Sequence, residues 1–287
     1  MRDSIARRPE QSWLRVSILS MLCAVTMGGP AWSVEVPQDL TLRPSDDAGW
    51  NLPFLEGIPH DALDAFCAPA QWDLYDWALA AGICGIGAGL YAEDGRIDGL
   101  FQRHRSSRTN AISSFMKPFG STYIVIELGG FAIASAFTSD PRVTRTALLG
   151  TESIAFAMAG YEVLQTLSDR SRPSQGANRD TWGGPMLHPG GHSFPSGHAT
   201  ASFALASVVA EEWKETPGVA IAAYSVASLV GLSRLNDHAH WASDVFCGAV
   251  LGWATGRAVE WVHRSKDVTV SPVIDSHQRS IQLSWRF

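Results

Sequence analysis

Cysteine is scarce in this chain, with four in 287 residues, and Cys23, Cys67, Cys84 and Cys247 form no Cys-x-x-Cys pair. That excludes a disulfide-rich scaffold and a zinc ribbon. Cys84 and Cys247 read as small core residues, and the sequence leaves open any disulfide among Cys67, Cys84 and Cys247. Charge is also sparse: 17% of residues are charged and the net charge is −6. An acidic chain without a basic-aromatic groove is a poor partner for nucleic acid. Its one local basic cluster, Arg103, His104, Arg105 and Arg108, reads as a solvated face able to touch anionic lipid. There is no Gly-x-Ser-x-Gly elbow to make Ser196 a hydrolase nucleophile. His188, His192, His238 and His240 follow no zinc spacing, so no metal is expected. Long uncharged apolar runs are few. Only 216–233 is free of charge, whereas neighbouring stretches carry Glu127, Glu152, Glu162, Arg257 and Glu260. A multi-span protein shows several clean runs of about twenty apolar residues, so buried helices in a soluble domain are expected.

What is present begins with a targeting pattern. Arg2, Arg7, Arg8 and Arg15 precede an apolar run over 16–27, Gly28-Gly29-Pro30 breaks it, and Ala31-Trp32-Ser33 offers a small-x-small cleavage site. Residues 1–33 are therefore read as a signal peptide that delivers the protein to the periplasm or medium. The alternative is an inner-membrane association with the site facing the periplasm. Residues 34–72, rich in Pro, Asp and Gly, read as an extended lead-in. A helical domain follows over 73–265, with helices expected at 73–92, 109–118, 121–138, 141–168, 199–213, 217–233 and 241–263. Asp73 suits an N-cap, Asp140-Pro141 and Thr216-Pro217 mark helix starts, and Gly82, Gly85, Gly87 and Gly89 would permit close helix packing. Residues 171–197 interrupt the pattern with four prolines and six glycines, and a loop that long in a helical domain is often functional. In 266–287 the period changes to two, as in a hairpin turning at 275–278. The fold class is thus mainly α: a bundle of about six to seven helices with a short C-terminal β-hairpin.

Three clusters carry chemistry: Arg172-Pro173, preceded by Arg170; Phe194-Pro195-Ser196-Gly197-His198, where the long loop becomes a helix; and Ser233-Arg234, followed by His240 and Asp244. The four-residue spacing of His240 and Asp244 places both on one helix face, where a carboxylate can take the Nδ1 proton and leave Nε2 free as a nucleophile. Ser196 and Gly197 open a helix, whose free N–H groups and positive dipole end attract an anion. His198 in that first turn is placed to protonate a leaving oxygen. Arg172 and Arg234 can each offer a planar fork to phosphate.

In their order and spacing these clusters resemble the type 2 phosphatidic acid phosphatases, which share their site with bacterial acid phosphatases and vanadium haloperoxidases. The family pattern is Lys-x6-Arg-Pro, then Pro-Ser-Gly-His, then Ser-Arg-x5-His-x3-Asp. The second and third are complete here, at Pro195 to His198 and from Ser233 to Asp244. The first is partial, with Gln165 in the lysine position. Over about 110–263, the resemblance implies a helical bundle, a phosphohistidine on His240, His198 as general acid, and phosphate contacts from Arg172, Ser196, Gly197 and Arg234. It implies no metal and no cofactor. Gln165 exchanges a charged contact for a neutral one, and Arg170, Arg179 or Lys117 are the cations that can replace it. The expected substrate is a phosphate monoester or diphosphate, soluble or on a lipid or isoprenoid. Peripheral membrane contact is compatible with this, and the oligomeric state is left open. The competing readings are a vanadate-dependent oxidase using the same pocket and a non-catalytic phosphate- or lipid-binding protein.

Overall fold

Asp73 starts the first helix. Its carboxylate accepts the amides of Tyr75 at 2.9 Å and Asp76 at 3.0 Å, and Asp76 in turn accepts the Asp73 amide at 3.1 Å. This capping box satisfies donors that a helix end leaves unpaired. The computed structural model describes residues 70, 72–176, 178–185 and 192–266, and the backbone of 268–274 and 279–285. The expected signal peptide at 1–33, nearly all of the expected lead-in at 34–72, Cys67 and His188 lie outside the described residues.

Seven α-helices occur among them: α1 (Leu74–His104), α2 (Ser107–Met116), α3 (Thr122–Ser135), α4 (Pro141–Ser168), α5 (Gly197–Glu212), α6 (Pro217–Asn236) and α7 (Ala242–Lys266). A 3₁₀ elbow, Lys117–Gly120, joins α2 to α3. Asp140 caps α4 through the Arg142 amide at 3.0 Å, with Pro141 in the first turn as expected. Strands β1 (Val268–Ile274) and β2 (Arg279–Trp285) pair antiparallel, with Val268 opposite Trp285. The expected turn at 275–278 lies outside the described residues. The fold is the mainly α bundle that the periodicity predicted.

Helix α5 is the axis of the bundle. Every residue from Ala199 to Val208 is buried, and α7, α6 and α4 pack around it. Leu148, Leu149, Val208 and Val259 form one core cluster, and Phe203, Ala206, Ala227 and Ala249 another. The approach of α7 to α5 depends on a glycine row. A Cβ at Gly248 would lie 2.5 Å from the Ser196 carbonyl, one at Gly252 would overlap the Thr200 carbonyl, and one at Gly256 would lie 2.6 Å from Ser207 Cβ. Spaced by four, these residues share one face. The α1 glycines are a different case from the one expected: only Gly87 meets α7, against Phe246 at 3.6 Å, and Gly82, Gly85 and Gly89 have nothing within 4 Å.

The surface also departs from a soluble bundle. Val125, Ile126 and Ile133 of α3, Ile221, Leu229 and Leu232 of α6, and Ile112 and Phe115 of α2 are all exposed. Helix α6 is the one described helix long and apolar enough to cross a membrane, and only 33% of its most apolar window is buried. Two of the internal charges that count against a bilayer setting are paired inside the protein. Glu152 meets His263 at 2.8 Å with both side chains buried, and Arg257 pairs with Glu211.

Candidate functional site

The polar ends of three helices meet at one end of the bundle. Ser196 opens α5 as its N-cap, and its amide donates to the Asp244 carbonyl in the first turn of α7 at 2.9 Å. Arg234 lies in the last turn of α6. His240 sits in the α6–α7 connection, which is braced at His238, where φ is +58° and the carbonyl accepts the Ser174 amide at 3.0 Å.

His240 is 5% exposed, and its Nδ1 lies 2.6 Å from the Ser193 carbonyl. A carbonyl can only accept, so Nδ1 carries the proton and the lone pair resides on Nε2. The tautomer is the expected one, but its partner is not. Asp244 makes no hydrogen bond to His240; its carboxylate receives Ser193 Oγ at 2.5 Å, Arg170 Nη1 at 2.5 Å and the Trp241 amide at 2.9 Å. The reason is local. Helix α7 begins at Ala242, so His240 precedes it and the helical four-residue spacing does not join the two side chains. Asp244 reaches back instead to cap its own helix, and it touches the histidine through Ser193. Burial pushes Asp244 up to about 6, against the pull of Arg170 and these donors, and pushes His240 down to about 3, with Arg172 adding to the effect.

His198, in the first turn of α5, shares this environment. Burial and the charges of Arg234, Lys117 and Arg172 push it down to about 4, and it acts on His240 in turn. The two motif histidines, Arg172 and Arg234 are therefore brought together. Among the described residues, Arg172 Nη2 donates to the His192 carbonyl at 3.3 Å. Arg234 pairs with Asp237 at 2.7 Å. Ser196 is fully buried, and its Oγ accepts the Ala199 amide at 3.5 Å. Gly197 lies under Tyr161, where an added Cβ would come within 3.1 Å of the ring. Tyr161, one turn before Gln165 on α4, thus borders the N-terminal end of α5 although its sequence context gives no signal.

Gln165 brings no charge, and its Oε1 is buried without a hydrogen-bond partner. The three cations expected to replace a lysine there have separate fates. Arg170 is fully buried between Asp94 and Asp244, 2.7 and 2.5 Å away. Arg179 turns to the carbonyls of Tyr91 and Ala92. Lys117 stands on the 3₁₀ elbow, whose Gly120 packs so tightly on His198 that a Cβ would lie 2.9 Å from the histidine Cβ. It has no ion-pair partner among the described residues, and its charge acts on His198. The remaining histidines are engaged elsewhere: His238 with Asp98 at 2.7 Å, and His192 near Asp169 at 3.9 Å.

Residues 147–267, which hold all of these motifs, match the family model described as the PAP2 superfamily. The chain is similar to lipid A 1-phosphatase from Porphyromonas gingivalis, 41% identical over 80 residues that cover 26% of this chain and 18% of that protein. It is also similar to a probable diacylglycerol pyrophosphate phosphatase of Schizosaccharomyces pombe, 36% identical over 92 residues covering 27% of this chain and 32% of that one. The chain thus spans only a fifth to a third of the length of these curated relatives. Among solved structures, a transmembrane PAP2-type phosphatidylglycerolphosphate phosphatase from Bacillus subtilis aligns with a TM-score of 0.50 at 22% identity, covering 63% of this chain and 93% of that one. That likeness is one of fold.

Proposed function

We propose that this protein is a metal-independent lipid phosphate phosphatase acting through a phosphohistidine on His240. The observation that carries the reading is the fixed tautomer: with Nδ1 donating to Ser193, Nε2 is an available nucleophile beside Arg172, Arg234 and His198. The two guanidinium groups and the α5 N-terminus neutralise the phosphoryl oxygens, the role a metal ion fills in other phosphatases. His240 Nε2 attacks phosphorus, the bond to the leaving oxygen breaks, and His198 hands that oxygen a proton. Water then attacks the phosphohistidine, His198 takes the water's proton, and inorganic phosphate leaves.

The low proton affinity of His198 in the empty site fits this cycle once the substrate is counted. Burial depresses it first, and Arg234, Lys117 and Arg172 add to the effect; of these, Arg234 alone has a carboxylate partner among the described residues. A bound phosphate offsets them and raises the histidine, and a phosphate with a second pKa near 6 brings a proton of its own. Ser196, Gly197 and the neutral Gln165 complete the contacts, and Lys117 supplies the charge that Gln165 lacks. Asp244 supports His240 through Ser193.

The lipid part of the reading rests on the exposed apolar faces of α2, α3 and α6 and on the lipid substrates named for the relatives. Exposed apolar area of this extent marks a membrane contact. The protein is read as membrane-seated, with the catalytic end of the bundle at the bilayer surface. A panel of lipid, isoprenoid and soluble phosphates assayed in EDTA, with wild type and His240→Ala, tests the proposal. Turnover should favour lipid phosphates and vanish in the variant, and base-stable, acid-labile radiolabel should be trapped only on wild type. Unchanged turnover in His240→Ala would remove the mechanism. Halide oxidation with added vanadate and peroxide, in place of hydrolysis, would shift the reading to an oxidase.

A further inference from the structure

The long helix α1 reaches the site from outside the PAP2 segment. Tyr91, Asp94, Asp98 and Gln102 form a polar stripe on one of its faces. The Tyr91 hydroxyl donates to Asp180 at 2.7 Å, Asp98 holds His238, and Gln102 Nε2 donates to the Leu235 carbonyl at 3.1 Å. Asp94 is the one that goes deepest. It is fully buried, and so is its partner Arg170, whose Nη2 lies 2.7 Å away. Asp94 also accepts both the amide and the hydroxyl of Ser243, at 2.9 and 2.5 Å. Tyr91, Trp182 and Trp241 surround the guanidinium at 4.8, 4.9 and 5.4 Å.

Removing an ion pair from water is expensive, and an apolar pair would pack α1 as well or better. What the charges add is direction. From Arg170 the chain of contacts leads to the nucleophile. Its Nη1 is held by Ser243 Oγ at 2.8 Å and meets Asp244 at 2.5 Å, Asp244 accepts Ser193 Oγ, and the Ser193 amide returns to the Arg170 carbonyl at 2.8 Å. That ring fixes the peptide whose carbonyl holds the His240 Nδ1 proton. We propose that Asp94 is a positioning residue for His240, setting its tautomer through Arg170, Asp244 and Ser193. The inference rests on His240 being the nucleophile for its consequence in turnover, but not for its consequence in structure.

The groups facing Asp244 are Arg170 and Ser193 from the loop, the Trp241 amide, Asp94 from α1 across the guanidinium, and Cys247 from α7, a neutral thiol that burial pushes up to about 11. Two carboxylates share one cation. Neutralising Asp94 leaves the whole charge of Arg170 to Asp244, which then holds its proton less tightly.

The test uses the full chain with Asp94→Asn and the milder Ser243→Ala, which removes the hydroxyl that links Asp94 to Arg170 without removing a charge. Nitrogen-15 histidine spectra, assigned with His240→Gln, should show one Nδ1–H tautomer for His240 in wild type and a mixture in both variants. In the lipid phosphatase assay, kcat should fall about tenfold or more with KM nearly constant, as for other groups that orient a reacting one. The acid limb of the Asp94→Asn profile should move to lower pH, a shift that general loosening of the fold would not produce. An unchanged His240 tautomer in Ser243→Ala and in folded Asp94→Asn overturns the proposal, whatever the kinetics. A wild type with the fixed tautomer but no turnover would instead overturn the functional reading and leave the positioning claim to the spectra.

Discussion

Exchanging the charges at positions 117 and 165 is the sharpest test of how this site binds phosphate. Lys117→Gln removes the only cation among the described residues that acts on His198, has no ion-pair partner among them and stands outside the sequence motifs. A charged hydrogen bond contributes about 1.5–3 kcal/mol and a neutral one about 1. Lys117 is exposed, so solvent screening cuts the difference toward the lower end, about 1 kcal/mol. At about 1.4 kcal/mol per tenfold, kcat/KM should fall about fivefold. Gln165→Lys in that background should recover most of the loss. In wild type it should add less, because the charge is already supplied. The loss should shrink at high salt, where an exposed charge is screened and a buried one is not. The assay is steady-state kcat/KM on a lipid phosphate for the four proteins of this cycle, with vanadate inhibition as a binding measure. Additive effects, or a Lys117→Gln variant within twofold of wild type, would refute the idea that Lys117 takes the place of the missing lysine.

Burial holds His240 neutral down to about pH 3. The unfolded chain takes up that proton near 6.5, so folding stability falls as pH drops from 6.5 toward 3. By pH 5 the loss is about 2 kcal/mol. His240→Gln should therefore be less acid-sensitive than wild type in denaturant titrations at pH 5 and 8, and equal slopes at both would contradict the burial argument. Gly252→Ala places a methyl group against the Thr200 carbonyl of α5. Overpacking of that kind costs about 1–3 kcal/mol, visible as a lowered Tm. Inorganic phosphate or vanadate at about a hundred times its Kd should stabilise the fold by about 2.7 kcal/mol, and Arg172→Gln should abolish most of that gain.

Much of the bundle was legible because its signals are local. Asp140-Pro141 fixed the start of α4, and the change from period 3.6 to period 2 marked the C-terminal strands. Helix α1 was read twelve residues too short, ending at Ala92 where the helix continues to His104. The run Glu93-Asp94-Gly95-Arg96 looks like a polar exit from a helix. Nothing local shows that Asp94 is buried, because its counterion is 76 residues away. The site motifs told a similar story. Residue types and their convergence were readable, whereas the route from Asp244 to His240 was not, since it passes through Ser193, a loop residue outside every motif. The glycine row of α7 stands in the sequence at regular spacing but is less conspicuous there than the clustered glycines of α1. The bilayer question turned on partners as well. Glu152 and Arg257 read as obstacles to membrane insertion until His263 and Glu211 were placed beside them.

Arg170 and Arg172 show most directly what separates scaffold from site. They are two residues apart and chemically identical. Arg170 is surrounded by two carboxylates and three aromatic rings, so its charge is spent inside the fold and is largely neutralised before any ligand arrives. Among the described residues Arg172 binds one carbonyl and pairs with no carboxylate, and its charge falls on both motif histidines. Lys117 is in the same position. A folded protein rarely keeps like charges together beside buried imidazoles unless an anion completes the set, because their mutual repulsion opposes the compact state. On the proposed reading that anion is the phosphoryl group: burial depresses both motif histidines first, and these cations add to the effect.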